Sequence, residues 1–238
     1  MSLVSCFLYL HTDRYSYIMP FLNPPFIISI LIAISVHEWA HAVTAYKLGD
    51  PTPKYAGRLT LNPIAHIDPM GALMFLIVGF GWAKPVPVDS RYFRHPKRDL
   101  ALTAIAGPAS NLVLAFFAFV GLTTLAHTHP ITFDDLLTGS PSYTSGMKVL
   151  ILILQSSLFI NLALMAFNLL PVPPLDGSNI LRMFIPARLE YRYDRFLQIG
   201  PWILIGLILF ESILLIPILS VWVHGIMGAV LSVFGMLV

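Results

Sequence analysis

FIISILIAISVHEWAHAVTAY, residues 26–46, decides how the rest of the chain is read. The run is long enough for one helix to cross a hydrocarbon core, which takes about 20 apolar residues. Yet it holds His37, Glu38 and His41 in its second half. Ionisable groups at membrane depth are costly and are kept for function. One stretch therefore points both to a membrane-spanning helix and to the chemistry that helix carries.

The composition agrees with a membrane solvent. Of 238 residues, 57% are hydrophobic and 11% charged, with a mean hydropathy of +0.78, whereas soluble domains carry about 25% charged residues. No alternating ten-residue pattern suggests a barrel. The expected class is an all-α polytopic membrane protein, a single domain over residues 1–238. Its core is expected at 24–185 and its C-terminal helices at 199–238. The net charge of +2, with no basic patch interleaved with aromatics, argues against nucleic acid. The single cysteine, Cys6, allows neither an internal disulfide nor a thiolate pair. Residues 1–18 include the short apolar run LVSCFLYL with no basic residue ahead of it, a poor signal peptide. It is read as an interfacial segment, with Met19 an alternative start.

Further stretches reach spanning length: Leu100–Ala126, Val149–Leu170 and Ile199–Leu219, with Val221–Val238 borderline beyond a turn at Pro217. Met70–Trp82 is apolar but short, which suits a re-entrant element. The expectation is a bundle of about five or six transmembrane or re-entrant helices. Two proline-bearing segments, Asp50–Pro63 with its alternating R-L-T-L and Trp82–Asp89 with its alternating Val and Pro, read as short edge strands near the cytoplasmic face, Tyr55–Leu61 and Lys84–Val88 being the strand candidates within them, since proline within sheets keeps to edges. Arginine and lysine set the orientation. Residues 82–99 and 178–198 are rich in them, while 127–147 has none and includes Asp134 and Asp135. The first two segments are expected to face the cytoplasm and the third the outside. That puts the C-terminal end of the first helix on the cytoplasmic side.

The spacing H-E-x-x-H on a helix puts two imidazoles one turn apart on one face. Both rings can reach one cation, and zinc suits neutral imidazole and four-coordinate geometry. Glu38 lies about 100° round the helix from His37, placed to act as a general base without ligating. A catalytic zinc wants a third protein ligand and an open position. His66 and Asp68 lie in the turn-rich NPIAHIDP. The stronger candidate is Asp176, which follows the proline-broken NLLPVPPL at the end of the Val149 helix. Broken backbone at membrane depth is tolerated where it is buried or lines a cavity, and both ligand-bearing ends are expected at the same depth.

HEWAHA, AGPASN (106–111) and NLLPVPPLDG (168–177), in that order and joined by GRLTLNPIAHIDP and GWAKPVPVD, resemble the site-2 protease family of intramembrane metalloproteases, peptidase family M50. The likeness is to its small bacterial-type branch without a PDZ domain. The resemblance implies one Zn2+ per chain, held by His37, His41 and Asp176, with Glu38 as catalytic base. It implies that Asn168, and with it Asn111, contacts the substrate. The implied activity is that of a zinc metalloendopeptidase cutting within or near transmembrane or signal-peptide-like segments of protein substrates. The implied place is a bacterial or archaeal cell membrane, with the site toward the cytoplasm. The connection His127–Met147 is too short to hold a PDZ domain. Asn161 reads as interhelical packing and Glu211 as a structural carboxylate inside a helix. The rival readings are a membrane zinc protease with a downstream glutamate ligand, or a non-proteolytic metal-binding protein or metal transporter. The first would have only Glu190 and Glu211 to use. A transporter wants ligands along a path and repeated halves; the sequence offers one cluster and no repeat.

Overall fold

A computed structural model describes residues 23–78, 81–128, 145–214 and 216–237. The expected interfacial segment at 1–18, and most of the connection read for a missing PDZ domain, lie outside these. The elements in chain order are helices α1 (Pro24–Lys47), α2 (Thr52–Tyr55), α3 (Pro63–His66), α4 (Pro69–Val78), α5 (Pro96–Thr128), α6 (Ser145–Asn168), α7 (Asp176–Arg182), α8 (Glu190–Leu214) and α9 (Ile218–Leu237), with 3-10 turns at Ser90–Tyr92 and Ala187–Leu189. Among the described residues, five helices are long and apolar enough to cross a membrane. The apolar run read as re-entrant folds as α4, at ten residues too short to cross.

Local chemistry sets the helix ends. Prolines 24 and 25 open α1, where a missing N–H costs nothing. Its end is a Schellman motif: Gly49, at φ +110, donates its N–H to the Tyr46 carbonyl (3.1 Å), and Asp50 donates to the Ala45 carbonyl (3.0 Å). The same device ends α2, with Gly57 at φ +68, Gly57 N–H on Lys54 O (3.0 Å) and Arg58 N–H on Pro53 O (2.8 Å). At the start of α4 the Asp68 carboxylate accepts from Gly71 N–H at 2.8 Å, the N-terminal capping role that a turn residue supplies. The turn between α8 and α9 falls at Pro217, as the sequence suggests. Glu211 seals it by accepting from Leu219 N–H (2.8 Å) and Ser220 N–H (3.3 Å), and from the Ser220 hydroxyl.

Helices α1, α5 and α6 pack against one another as the centre of the bundle. Small residues line their contacts: Ala33, Ala42 and Ala45 on α1, and Ala101, Ala104 and Gly107 on α5, all buried. Backbones that approach this closely pack well in lipid, where apolar burial alone gives no drive to associate. On the far side, Ala115, Ala118, Phe119 and Leu122 of α5 meet Ile151, Leu158, Leu162 and Met165 of α6, with Phe234 of α9 closing the cluster. Phe117, Ile213 and Met236 stay outward, as a lipid-facing surface requires.

The expected edge strands do not form. Tyr55–Leu61 is the end of α2 and an irregular turn. Among the described residues, Lys84–Val88 carries no ladder, and the pairing beside it is one isolated antiparallel bridge, Ile67 to Ala83. Pro85 and Pro87 supply no N–H, and four other backbone groups are engaged elsewhere. Lys84 N–H donates to His66 O at 2.8 Å, Val86 N–H to Glu38, and the Lys84 and Pro85 carbonyls accept from Arg58. The R-L-T-L alternation misled because Arg58 points inward as a hydrogen-bond donor, not outward from a sheet.

Candidate metal centre

His37 and His41 stand one turn apart on α1, both buried, with ring centroids 4.6 Å apart and planes at 86°. Their Nε2 atoms are 3.0 Å apart, and Asp176 Oδ2 lies 3.3 Å from each. The aspartate is the first residue of α7, brought in because the prolines after Asn168 end α6 and turn the chain back. Gly177 lets α7 start this close: a Cβ there would lie 2.6 Å from the Leu169 carbonyl carbon. The helix is tied down at both its first turn and its far end. Tyr193 Oη donates to Ser178 O at 2.5 Å, and Arg182 pairs with Asp194 at 2.9 Å. Lys97 at the start of α5 pairs with Glu190 at 2.5 Å and donates to Ile185 O at 3.0 Å.

The hydrogen-bond network fixes the tautomers. Asn111 Nδ2 donates to Ala33 O (3.3 Å) and to Asn161 Oδ1 (2.8 Å), so its Oδ1 is the acceptor. His37 Nδ1–H donates to that oxygen at 2.6 Å. His41 Nδ1–H donates to the Thr103 carbonyl at 2.7 Å. Each neutral ring therefore turns an Nε2 lone pair toward the other and toward the carboxylate. Asp176 Oδ2 is buried with no hydrogen-bond partner. These three atoms lie within 3.3 Å of one another, and one shared metal ion would take both Nε2 lone pairs and the carboxylate oxygen at once. A four-coordinate zinc at about 2.0–2.1 Å from each ligand needs ligand atoms about 3.3 Å apart, and these atoms match that spacing. Among the described residues, His37, His41 and Asp176 are the group of three that could hold a metal ion. The donor set, two imidazole nitrogens and one carboxylate oxygen, is that of a catalytic site with a position left open.

Glu38, half-buried and off the ligating face, accepts the Val86 N–H on Oε2 at 3.2 Å. Asn111 is fully buried against His37. Asn161, read as packing, is also fully buried; it holds Asn111 and donates to Ser157 O at 2.8 Å. Asn168 donates to Leu164 O at 3.0 Å within its own helix and lies outside the ligand group. His66 is buried with Nε2 on Thr60 O at 2.8 Å, apart from the metal group. The sequence reading missed Thr103, which acts through its backbone and leaves no side-chain signal. It also missed why residue 107 is glycine. A Cβ there would lie 2.5 Å from His41 Cε1 and 2.6 Å from His37 Cε1, so the absent side chain makes room for both rings.

Comparison with known proteins agrees with this geometry. The family model described as Peptidase family M50 matches residues 25–210. The chain is 43% identical over 174 residues to the "Putative zinc metalloprotease YwhC" of Bacillus subtilis, covering 73% of this chain and 75% of that protein. It is 33% identical over 156 residues to the "Putative zinc metalloprotease Rip2" of Mycolicibacterium smegmatis, covering 63% and 53%. It is 28% identical over 203 residues to that of Mycobacterium tuberculosis H37Rv, covering 82% and 68%. No solved structure matches. The matched region takes in α1 through most of α8, with every residue of the metal group inside it, and the chain belongs to peptidase family M50, as a multi-pass membrane metalloprotease.

Proposed function

We propose that this chain is a zinc-dependent endopeptidase that hydrolyses peptide bonds within or near the transmembrane segments of protein substrates. The carrying observation is the convergence of His37 Nε2, His41 Nε2 and Asp176 Oδ2 within 3.3 Å, with both Nδ1 atoms already bonded to oxygen acceptors. Bound by these atoms, zinc supplies Lewis acidity, polarising a carbonyl and lowering the pKa of a water toward about 7.

The chain's own groups do the rest. The Nδ1–H bonds to Asn111 and Thr103 hold both imidazoles in the ligating tautomer. Asn111 orients His37 and, being fully buried, acts through that ring rather than on substrate. The Val86 N–H holds Glu38 Oε2, leaving Oε1 to accept a proton from the attacking water. As the water oxygen bonds to the scissile carbon and the C–N bond breaks, Glu38 returns that proton to the departing amine nitrogen. One water is consumed and no redox partner is needed. A substrate helix hides its amides in internal hydrogen bonds and must unwind locally to reach Glu38. Asn168, at the last turn of α6 before the Asp176 segment, is the candidate to contact that unwound backbone. The cluster of Lys97, Arg98, Arg182, Arg188, Arg192 and Arg195 near the α7 end of the bundle supports a cytoplasmic site by the positive-inside rule.

Purified protein in lipid or detergent, given a model transmembrane peptide, tests the reading. Wild type is expected to contain zinc and cleave; Glu38→Gln is expected to keep zinc and lose cleavage. Zinc-loaded wild type that cleaves no transmembrane peptide refutes the reading.

A further inference from the structure

Arg58 is 4% exposed, and a buried guanidinium is ordinarily paired with a carboxylate. Among the described residues it forms no ion pair. Its hydrogen bonds go instead to three backbone carbonyls: Nη1 donates to Ala65 O (2.5 Å) and Lys84 O (3.2 Å), and Nη2 to Pro85 O (3.3 Å). The next N–H along the chain, Val86, is the one that reaches the Glu38 carboxylate. We propose that Arg58 is a positioning residue of the peptidase, holding the 83–89 segment so that its one free amide between two prolines meets the general base.

The local structure is built for this. Gly57, at φ +68, ends α2 and turns Arg58 into the protein. The 83–89 segment is pinned on both sides of Val86: Lys84 N–H bonds to His66 O at 2.8 Å, and Asp89 N–H to the buried Asp50 carboxylate at 2.8 Å. Pro85 and Pro87 restrict the residues before them to extended conformations and supply no competing donors. A single N–H is thus aimed at a single carboxylate. Arg58 fixes it through the two carbonyls that precede it. A lysine would bring fewer donors and no planar fork, and so would hold the pair of carbonyls less well.

The inference rests on Glu38 acting as the base, and a double-mutant cycle separates the two claims. Arg58→Met and Val86→Pro remove, respectively, the guanidinium and the amide hydrogen it positions. Each is expected to lower kcat on the model transmembrane peptide by about 10- to 100-fold, with KM and zinc content close to wild type. The double variant is expected to fall little below Val86→Pro alone. Arg58→Lys is expected to recover part of the loss and serves the same cycle if Arg58→Met does not fold. Amide exchange over residues 82–89 is expected to quicken in both Arg58 variants, whatever the activity. Independent, multiplicative losses, wild-type kcat in Arg58→Met, or loss of zinc in both Arg58 variants would overturn the proposal. Absence of Glu38-dependent cleavage in wild type would instead sink the peptidase reading, while the exchange measurement would still judge Arg58.

Discussion

Adding one methyl group at Gly107 probes the metal centre without touching a ligand. The new Cβ would sit 2.5 Å from His41 Cε1 and 2.6 Å from His37 Cε1. Ordinary carbon–carbon contacts are about 3.5–4.0 Å, so at least about 1 Å of movement must come from the two rings or from the helices that carry them. Gly107 and the Thr103 carbonyl that holds His41 Nδ1 lie one turn apart on α5. Backing α5 away from α1 would therefore stretch that 2.7 Å bond. Either response spoils the 3.0–3.3 Å spacing of the three ligand atoms. Misplacing reacting groups by about 1 Å costs on the order of 100-fold in rate, or about 2.7 kcal/mol. Overpacking adds about 1–3 kcal/mol of destabilisation. Chelator competition for zinc and single-turnover cleavage are the assays. Gly107→Ala is expected to weaken zinc and slow cleavage by about 100-fold. Gly121→Ala, farther along α5, where the nearest atoms are Leu154 methyls at 3.2 Å, is expected to keep both. Zinc affinity and turnover in Gly107→Ala equal to wild type would refute the argument that the glycine clears the rings.

Three further outcomes follow from the contacts. Asn111→Leu strips His37 Nδ1–H of its acceptor and leaves Asn161 without its partner; zinc affinity is expected to fall by about 10- to 100-fold, read by competitive chelation. Tyr193→Phe removes only the hydroxyl bonded to Ser178 O. It is expected to destabilise α7 by about 1 kcal/mol and to raise the zinc off-rate, and unchanged metal release would count against α7 being tethered there. Glu211→Leu leaves the α9 N-terminal amides and the Ser220 hydroxyl without their acceptor. Unfolding stability is expected to drop by about 1–3 kcal/mol with zinc stoichiometry intact, whereas altered stoichiometry would show that Glu211 communicates with the site.

The parts of this structure legible in the sequence are those encoded by spacing and by solvent. Lipid imposes long apolar runs, so the five long helices are read almost directly. Their ends shift by a few residues because polar turns extend them, as Pro96–Asp99 does for α5. The interval of four between His37 and His41 fixes two Nε2 atoms on one helical face, and the prolines after Asn168 announce a break with Asp176 beyond it. What was illegible depends on backbone groups and on tertiary fit. Lys84–Val88 has the look of an edge strand, yet its Lys84 and Pro85 carbonyls accept from Arg58 and its Val86 amide donates to Glu38. Alternation alone cannot say which partner a peptide group will take. Asn161 reads as packing until Asn111 is seen to need an acceptor for its amide. Glycine at 107 is explained only when two imidazoles occupy the space beside it.

X-ray absorption at the zinc edge, on wild type and Asp176→Ala purified side by side, tests the metal centre most directly. The account predicts one zinc per wild-type chain, ligated by two imidazole nitrogens and a carboxylate oxygen, and loss of zinc or of that oxygen in the variant. Full zinc occupancy in Asp176→Ala with an unchanged spectrum would contradict it.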